Sequence, residues 1–277
     1  MLDIFPPSLL LLFLTKCPFV VAQTYPTTVE LDVVFPRNET YAPADIFPIV
    51  FAFQNSLATI PLIPNIQWRI QKLGSLSDPL DWGSKDLAGG LNTSSDPYFV
   101  VFDTLNTKNA TEGQYFLYWE VACGNCSARN IPTDPTEIGL TTFHNSTMFA
   151  IKKGAPVPNL APDSSCATWQ AAAFNVTGTR PVEIPMEYAY HNACAVIADP
   201  RPSADPCALK FNDEIASSIA ASITAGRCQA LQPAITSGCP ATPTSNPNVA
   251  AKALNRWTMY EGILVWGVAT VFVHALF

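Results

Sequence analysis

The segment IFPIVFAFQN (46–55) is almost wholly apolar and follows the turn-rich stretch PRNETYAPAD. An apolar run of that length after a turn reads as a buried strand. Five more segments join it. TTVELDVVF (27–35) alternates early and then turns apolar, and IQWRIQKL (66–73) alternates throughout. PYFVVFDT (97–104), QYFLYWEVAC (114–123, after the turn Thr111-Glu112-Gly113) and STMFAIKKG (146–154) follow. Six strands separated by turn clusters predict an all-β sandwich. Trp68 in the third strand and Tyr115, placed like the tyrosine of a tyrosine corner, make the expectation an immunoglobulin-like β-sandwich over residues 23–154. Both aromatic residues read as core. No cysteine precedes Cys123 in the mature chain, so the disulfide that links the two sheets of such folds is not expected.

The second half changes character. Residues 124–145 read as a long loop, and from Ala155 the chain is rich in Pro, Ala and Cys. VEIPMEYAY (182–190) alternates with period two, and Pro185 on its other face suits an edge strand. Phe211, Ile215, Ile219 and Ile223 form one stripe of a helix, with Asn212 or Asp205 as cap and Gly226 as end. Residues 155–239 are thus expected to be a disulfide-stapled extension, carrying one short helix and packed on the sandwich. PATPTSNPN (240–248) reads as a stalk.

Both ends carry targeting patterns. Residues 1–22 have a broken apolar run and end Val20-Val21-Ala22, which fits a signal peptide cleaved after Ala22. The C-terminal run GILVWGVATVFVHALF is followed by no Lys or Arg, and as a helix it reaches about 24 Å against a hydrocarbon core of roughly 30 Å. A small-residue stretch and a polar spacer precede it, the layout of a glycolipid (GPI) attachment signal over 249–277 with attachment at Asn248. A short transmembrane helix is the alternative reading.

Maturation would remove Lys16, Lys252 and Arg256 from the 15 basic residues and Asp3 and Glu261 from the 22 acidic ones, leaving a net charge of −8. An acidic chain argues against nucleic acid and against electrostatic adhesion to anionic lipid. Six sequons begin at Asn38, Asn92, Asn109, Asn125, Asn145 and Asn175, the pattern of an extracellular glycoprotein. Asn125 stands apart because it lies between two cysteines. Seven cysteines remain after Cys17 leaves: Cys123, Cys126, Cys166, Cys194, Cys207, Cys228 and Cys239. In an oxidising compartment disulfides are the default, and an odd count leaves one thiol over. Spacing does not choose the pairing; Cys194 with Cys207 and Cys228 with Cys239 are the local options.

Several chemistries fail on the residues. CGNC (123–126) ends a strand with no helix signal after it, so it lacks the setting that activates a redox CxxC, and a structural role is expected. His144 and His191 are the only histidines of the mature chain, with no second CxxC and no HExxH, so neither a metal nor a cofactor is expected. No GxSxG occurs. No catalytic residue is assigned. Asp78, Asp81 and Asp86 surround Trp82 in what reads as an acidic-aromatic loop, and Trp82 is the candidate glycan contact. Glu183 and Glu187 are further carboxylates, which a glycosidase would need in pairs. Solvated surface is the plainer reading of both groups.

The stretches TVELDVVFPRN, TYAP and FPIVFAFQN, with YFLYWEVAC and DPCALKF later, resemble a fungal family of secreted proteins carrying a domain of unknown function. The resemblance covers most of residues 25–240. It implies an extracellular, often anchored protein with no established activity. The expectation is a non-enzymatic, GPI-anchored glycoprotein at the plasma membrane or cell wall, with the membrane and cell-wall polysaccharide as partners. The alternative is a carbohydrate-binding module or a carboxylate-dependent glycan-active enzyme.

Overall fold

The structure, a computed structural model, describes residues 23–75, 79–87, 95–102, 105–127, 138–162, 166–182 and 193–230. The expected signal peptide, stalk, anchor signal and Asn248 lie outside these residues. So do Asp78, Asn92, Glu183, Glu187, His191, Cys239, the side chain of Cys228 and nearly all of the strand expected at 182–190.

The described chain is mostly β. One five-stranded sheet, A, has the order β10 (Ala193–Ala198), β9 (Ala171–Pro181), β1 (Thr27–Phe35), β3 (Ile49–Gln54), β6 (Tyr98–Phe102). The other, B, runs β2 (Thr40–Tyr41), β8 (Leu140–Ile151), β7 (Gly113–Gly124), β4 (Asn65–Lys72), β5 (Asp81–Asp86). All neighbours are antiparallel except β2 and β8. A single turn of helix, α1 (Ser56–Thr59), follows β3, and a longer helix, α2 (Asp213–Ala230), ends the described chain.

Register shows which side chains meet. Val29, Leu31 and Val33 of β1 pair with Phe174 and Ala172 of β9 and with Phe53 and Phe51 of β3, so all lie on one face of sheet A. Phe51 packs edge-on against Trp119 of β7 with ring centroids 6.1 Å apart, which turns that face toward sheet B. Trp68 against Phe102 (5.6 Å) and Phe47 against Phe149 (5.3 Å) join the sheets at other points of the same core. Trp68 and Tyr115 are buried as the sequence predicts. The Tyr115 hydroxyl donates to the Thr111 carbonyl at 2.6 Å, four residues back, and so pins the turn before β7.

The chain beyond residue 154 departs from the expected packed extension: it supplies two strands of sheet A. β9 pairs along β1 and β10 pairs along β9, so the sheet cannot be divided at 154. The expected helix is present as α2. Asn212 caps it by accepting from the Ile215 N–H at 2.9 Å, and the helix continues through Gly226 to Ala230. Of the predicted stripe, Ile223 is buried, while Phe211 and Ile219 pack against the core. Phe211 meets Phe99 and Trp169 on the side of sheet A away from sheet B. Arg37, itself buried, donates to the carbonyls of Val34 and Ala161 and lies over the Trp169 ring, binding the β1–β2 turn to the chain before β9.

Among the described residues there are two disulfides, Cys126–Cys194 between the sheets and Cys166–Cys207 between two short turns. They replace the expected local pairing of Cys194 with Cys207. The first also corrects the expectation that no bridge links the sheets. Its partner comes from β10, late in the chain, rather than from a strand before Cys123. Cys123 is the free thiol among the described cysteines, and it is buried. Among the described residues no helix is long and apolar enough to cross a membrane.

Candidate functional site

Sheet B has one face in the core and one toward solvent, and the solvent face carries two ordered rows. Antiparallel pairing sets Trp82, Arg69, Tyr118 and Ser146 side by side across β5, β4, β7 and β8. One step along the strands, Ser84, Gln67, Glu120 and His144 form the second row. Neighbouring strands lie about 4.8 Å apart, so each row presents side chains at that interval. Together the rows line an open groove of about 750 Å³.

Trp82 is 69% exposed, whereas the other two tryptophans that line the groove, Trp68 and Trp119, are buried. Its exposure follows from the solvent-facing side of β5 and from that strand's edge position among the described residues. The Asp81 carboxylate accepts from the Trp82 backbone N–H at 2.8 Å. Behind Trp82, Gly83 faces the core: a Cβ there would lie 2.7 Å from Trp68 Nε1, so glycine lets β5 close over the buried indole. Arg69 lies over the Tyr118 ring, 5.1 Å from its centroid. Phe116 sits 5.6 Å from Tyr118 and, with Met148 opposite it in register, extends the aromatic and apolar character past the first row. Such a face offers a flat ring for stacking with hydrogen-bonding groups at regular intervals beside it. It can hold an extended, hydroxyl-rich molecule.

The structure alters what the sequence assigned to this region. Asp81, Trp82 and Asp86 belong to an edge strand rather than to a loop. His144 lies in β8 on the groove and not in a loop. Arg69, Tyr118, Glu120 and His144 were not grouped by the sequence reading, because only pairing across strands brings them to Trp82. Among the described residues that line the groove, Glu120 alone carries a carboxylate.

The sequons separate by environment. Asn38, Asn109 and Asn145 are exposed and Asn175 is half-buried in β9. Asn125 is buried: its side-chain amide donates to Thr141 Oγ1 at 2.8 Å, and its carbonyl oxygen accepts from the N–H groups of Ser127 and Ile197. That side chain is committed to holding β7, β8 and β10 together, unlike the exposed Asn38, Asn109 and Asn145. The CGNC motif is likewise divided, with Cys126 bonded to Cys194 and Cys123 buried. Burial pushes the Cys123 thiol up to about 12.

A second polar cluster lies on the outer face of sheet A. Glu30 and Asp32, two apart on β1, are both buried. Gln54 Nε2 donates to Asp32 Oδ2 at 2.9 Å, and the Asp205 backbone N–H donates to Glu30 Oε2 at 2.8 Å. Burial and the adjoining Glu30 carboxyl raise Asp32 to about 8, so Asp32 keeps its proton at neutral pH. The segment at Asp205 lies over the pair, leaving no room for a substrate. Its role is in holding that segment to β1.

A family model described as "Domain of unknown function (DUF7136)" matches residues 24–237, and the chain belongs to that family. No curated protein matches it. The two disulfides fit an extracellular protein.

Proposed function

We propose that this member of the DUF7136 family is an extracellular glycan-binding glycoprotein of the fungal surface, with the outer face of sheet B as its binding face. The reading includes an entry signal over 1–22 and a lipid anchor at Asn248, which would place the groove at the plasma membrane or in the wall. An immunoglobulin-like arrangement of the two sheets goes with it, supported by the buried Trp68 and by the Tyr115–Thr111 hydrogen bond.

One observation carries the proposal: Trp82 is exposed on an edge strand, in register with Arg69 and Tyr118 and beside a polar row that suits sugar hydroxyls. Ring stacking supplies affinity, and the few polar groups fix orientation. Binding without hydrolysis is favoured, since glycosidases use two carboxyl groups about the scissile bond and the described residues of this groove supply Glu120 alone.

The test is retention of the full-length chain on a panel of fungal and plant polysaccharides, wild type beside Trp82→Ala. Wild type should be retained on at least one polymer and the variant released. Equal retention of both proteins would remove Trp82 from the site and end the proposal. Release from membranes by phosphatidylinositol-specific phospholipase C tests the anchor separately.

A further inference from the structure

We infer that the groove selects glycans bearing carboxylates, with Arg69 as the group that reads them; the inference rests on the glycan-binding reading above. Arg69 is exposed at the centre of the first row, with Trp82 on one flank and Tyr118 on the other. The Tyr118 ring supports its guanidinium. Among the described residues no hydrogen bond or ion pair engages that guanidinium, so its planar fork of donors is available in the groove. A planar fork matches a carboxylate in two parallel hydrogen bonds, the geometry for which arginine is suited and lysine is not.

Position then narrows the ligand. Trp82 stands on the strand next to Arg69, about 5 Å away across the sheet. That interval is close to the length of one pyranose unit in an extended chain. A sugar ring lying flat on Trp82 would direct the carboxylate on its rim, or that of the following unit, toward Arg69. Glu120, the one carboxylate among the described lining residues, stands opposite Gln67 in the second row, on the same strand as Tyr118. A ligand carboxylate carried by a ring on Trp82 approaches Arg69 along the first row, one row away from that repelling group. Glu120 and Gln67 remain to bind hydroxyls. The ligand class is a linear polyuronide crossing the strands. The acidic chain as a whole offers no long-range attraction for such a polymer, so the preference is a matter of contact at Arg69.

Isothermal titration of the full-length chain with oligogalacturonate and with its methyl ester tests this, because the ester keeps the ring and loses the charge. Wild type should bind the acid at least about tenfold more tightly than the ester, the ratio expected for one charge-assisted pair. Arg69→Gln should abolish that ratio and leave ester binding in place, and Trp82→Ala should weaken both ligands. Equal affinity for acid and ester, or a preference that survives Arg69→Gln, overturns the inference. If cello-, laminari- or chito-oligosaccharides bind through Trp82 while oligogalacturonate does not, Arg69 is no uronate reader and the glycan-binding reading stands. If no oligosaccharide binds, both fall together. Residues 69 and 82 are exposed, so circular dichroism of the variants should overlay that of wild type.

Discussion

Cys126, two residues past the end of β7, is bonded to Cys194 on β10, and its N–H donates to the Ala195 carbonyl at 2.8 Å. An inner strand of one sheet is thereby fastened to the edge strand of the other. The bridge spans 68 positions, so breaking it frees a long loop in the unfolded chain. Replacing both cysteines with serine should lower stability by about 4 kcal/mol, read from urea unfolding. An unchanged midpoint would mean that the backbone pairing alone holds the sheets.

Cys123, three residues before this bridge, should behave oppositely. Buried, with its thiol raised to about 12, it carries almost no thiolate at neutral pH. Alkylation followed by peptide mass mapping should leave Cys123 unlabelled in the native protein and label it fully in denaturant. Label at Cys123 under native conditions would show that the end of β7 opens.

Gly83→Ala places a methyl group 2.7 Å from Trp68 Nε1, so either the indole or β5 must shift. The ring is held against Phe102, so the strain should cost about 1–3 kcal/mol and shift the tryptophan emission. A variant with wild-type stability and spectrum would show that β5 moves away instead.

Asp32 governs a pH dependence whose sign can be worked out. Its carboxyl takes up a proton at 3.8 when unfolded and at about 8 when folded, so between these values the folded chain binds more protons. Stability contributed at this position is complete below about pH 4, falls as pH rises through that window, and is lost above about 8. Asp32→Asn, which imitates the protonated form, should flatten the decline and make the protein more stable than wild type at pH 8. Parallel pH profiles for both proteins would contradict this.

Tyr115→Phe removes a single hydroxyl from its bond to Thr111 and leaves the ring stacked on Phe149. The loss should be about 1 kcal/mol, seen in the unfolding midpoint, with glycan retention unchanged.

The strands that line the core were readable in the chain because each announces a buried face. TTVELDVVF is strand 27–35, and IQWRIQKL and QYFLYWEVAC lie within a residue of β4 and β7. β5 and β9 were missed for opposite reasons. DWGSKD, at a sheet edge with most side chains exposed, has no apolar face to show. Ala171 and Ala173 of β9 pair opposite Asp32 and Glu30, and such small side chains carry little strand signal. Within the groove, Trp82 stood out between two aspartates, whereas Arg69, Tyr118, Glu120 and His144 looked like ordinary polar positions of separate strands.

What the sequence determined by itself was local: which segments alternate, where turns interrupt them, which asparagines stand in sequons, and that the chain is acidic. Tertiary structure decided the rest. It selected Cys126 for Cys194, buried Asn125 between β7, β8 and β10, drew the chain beyond 154 into sheet A, and set Arg69 between Trp82 and Tyr118. The physical reason is pairing over long separations. Alternation places a side chain on a face, but only the register between distant strands determines its neighbours on that face.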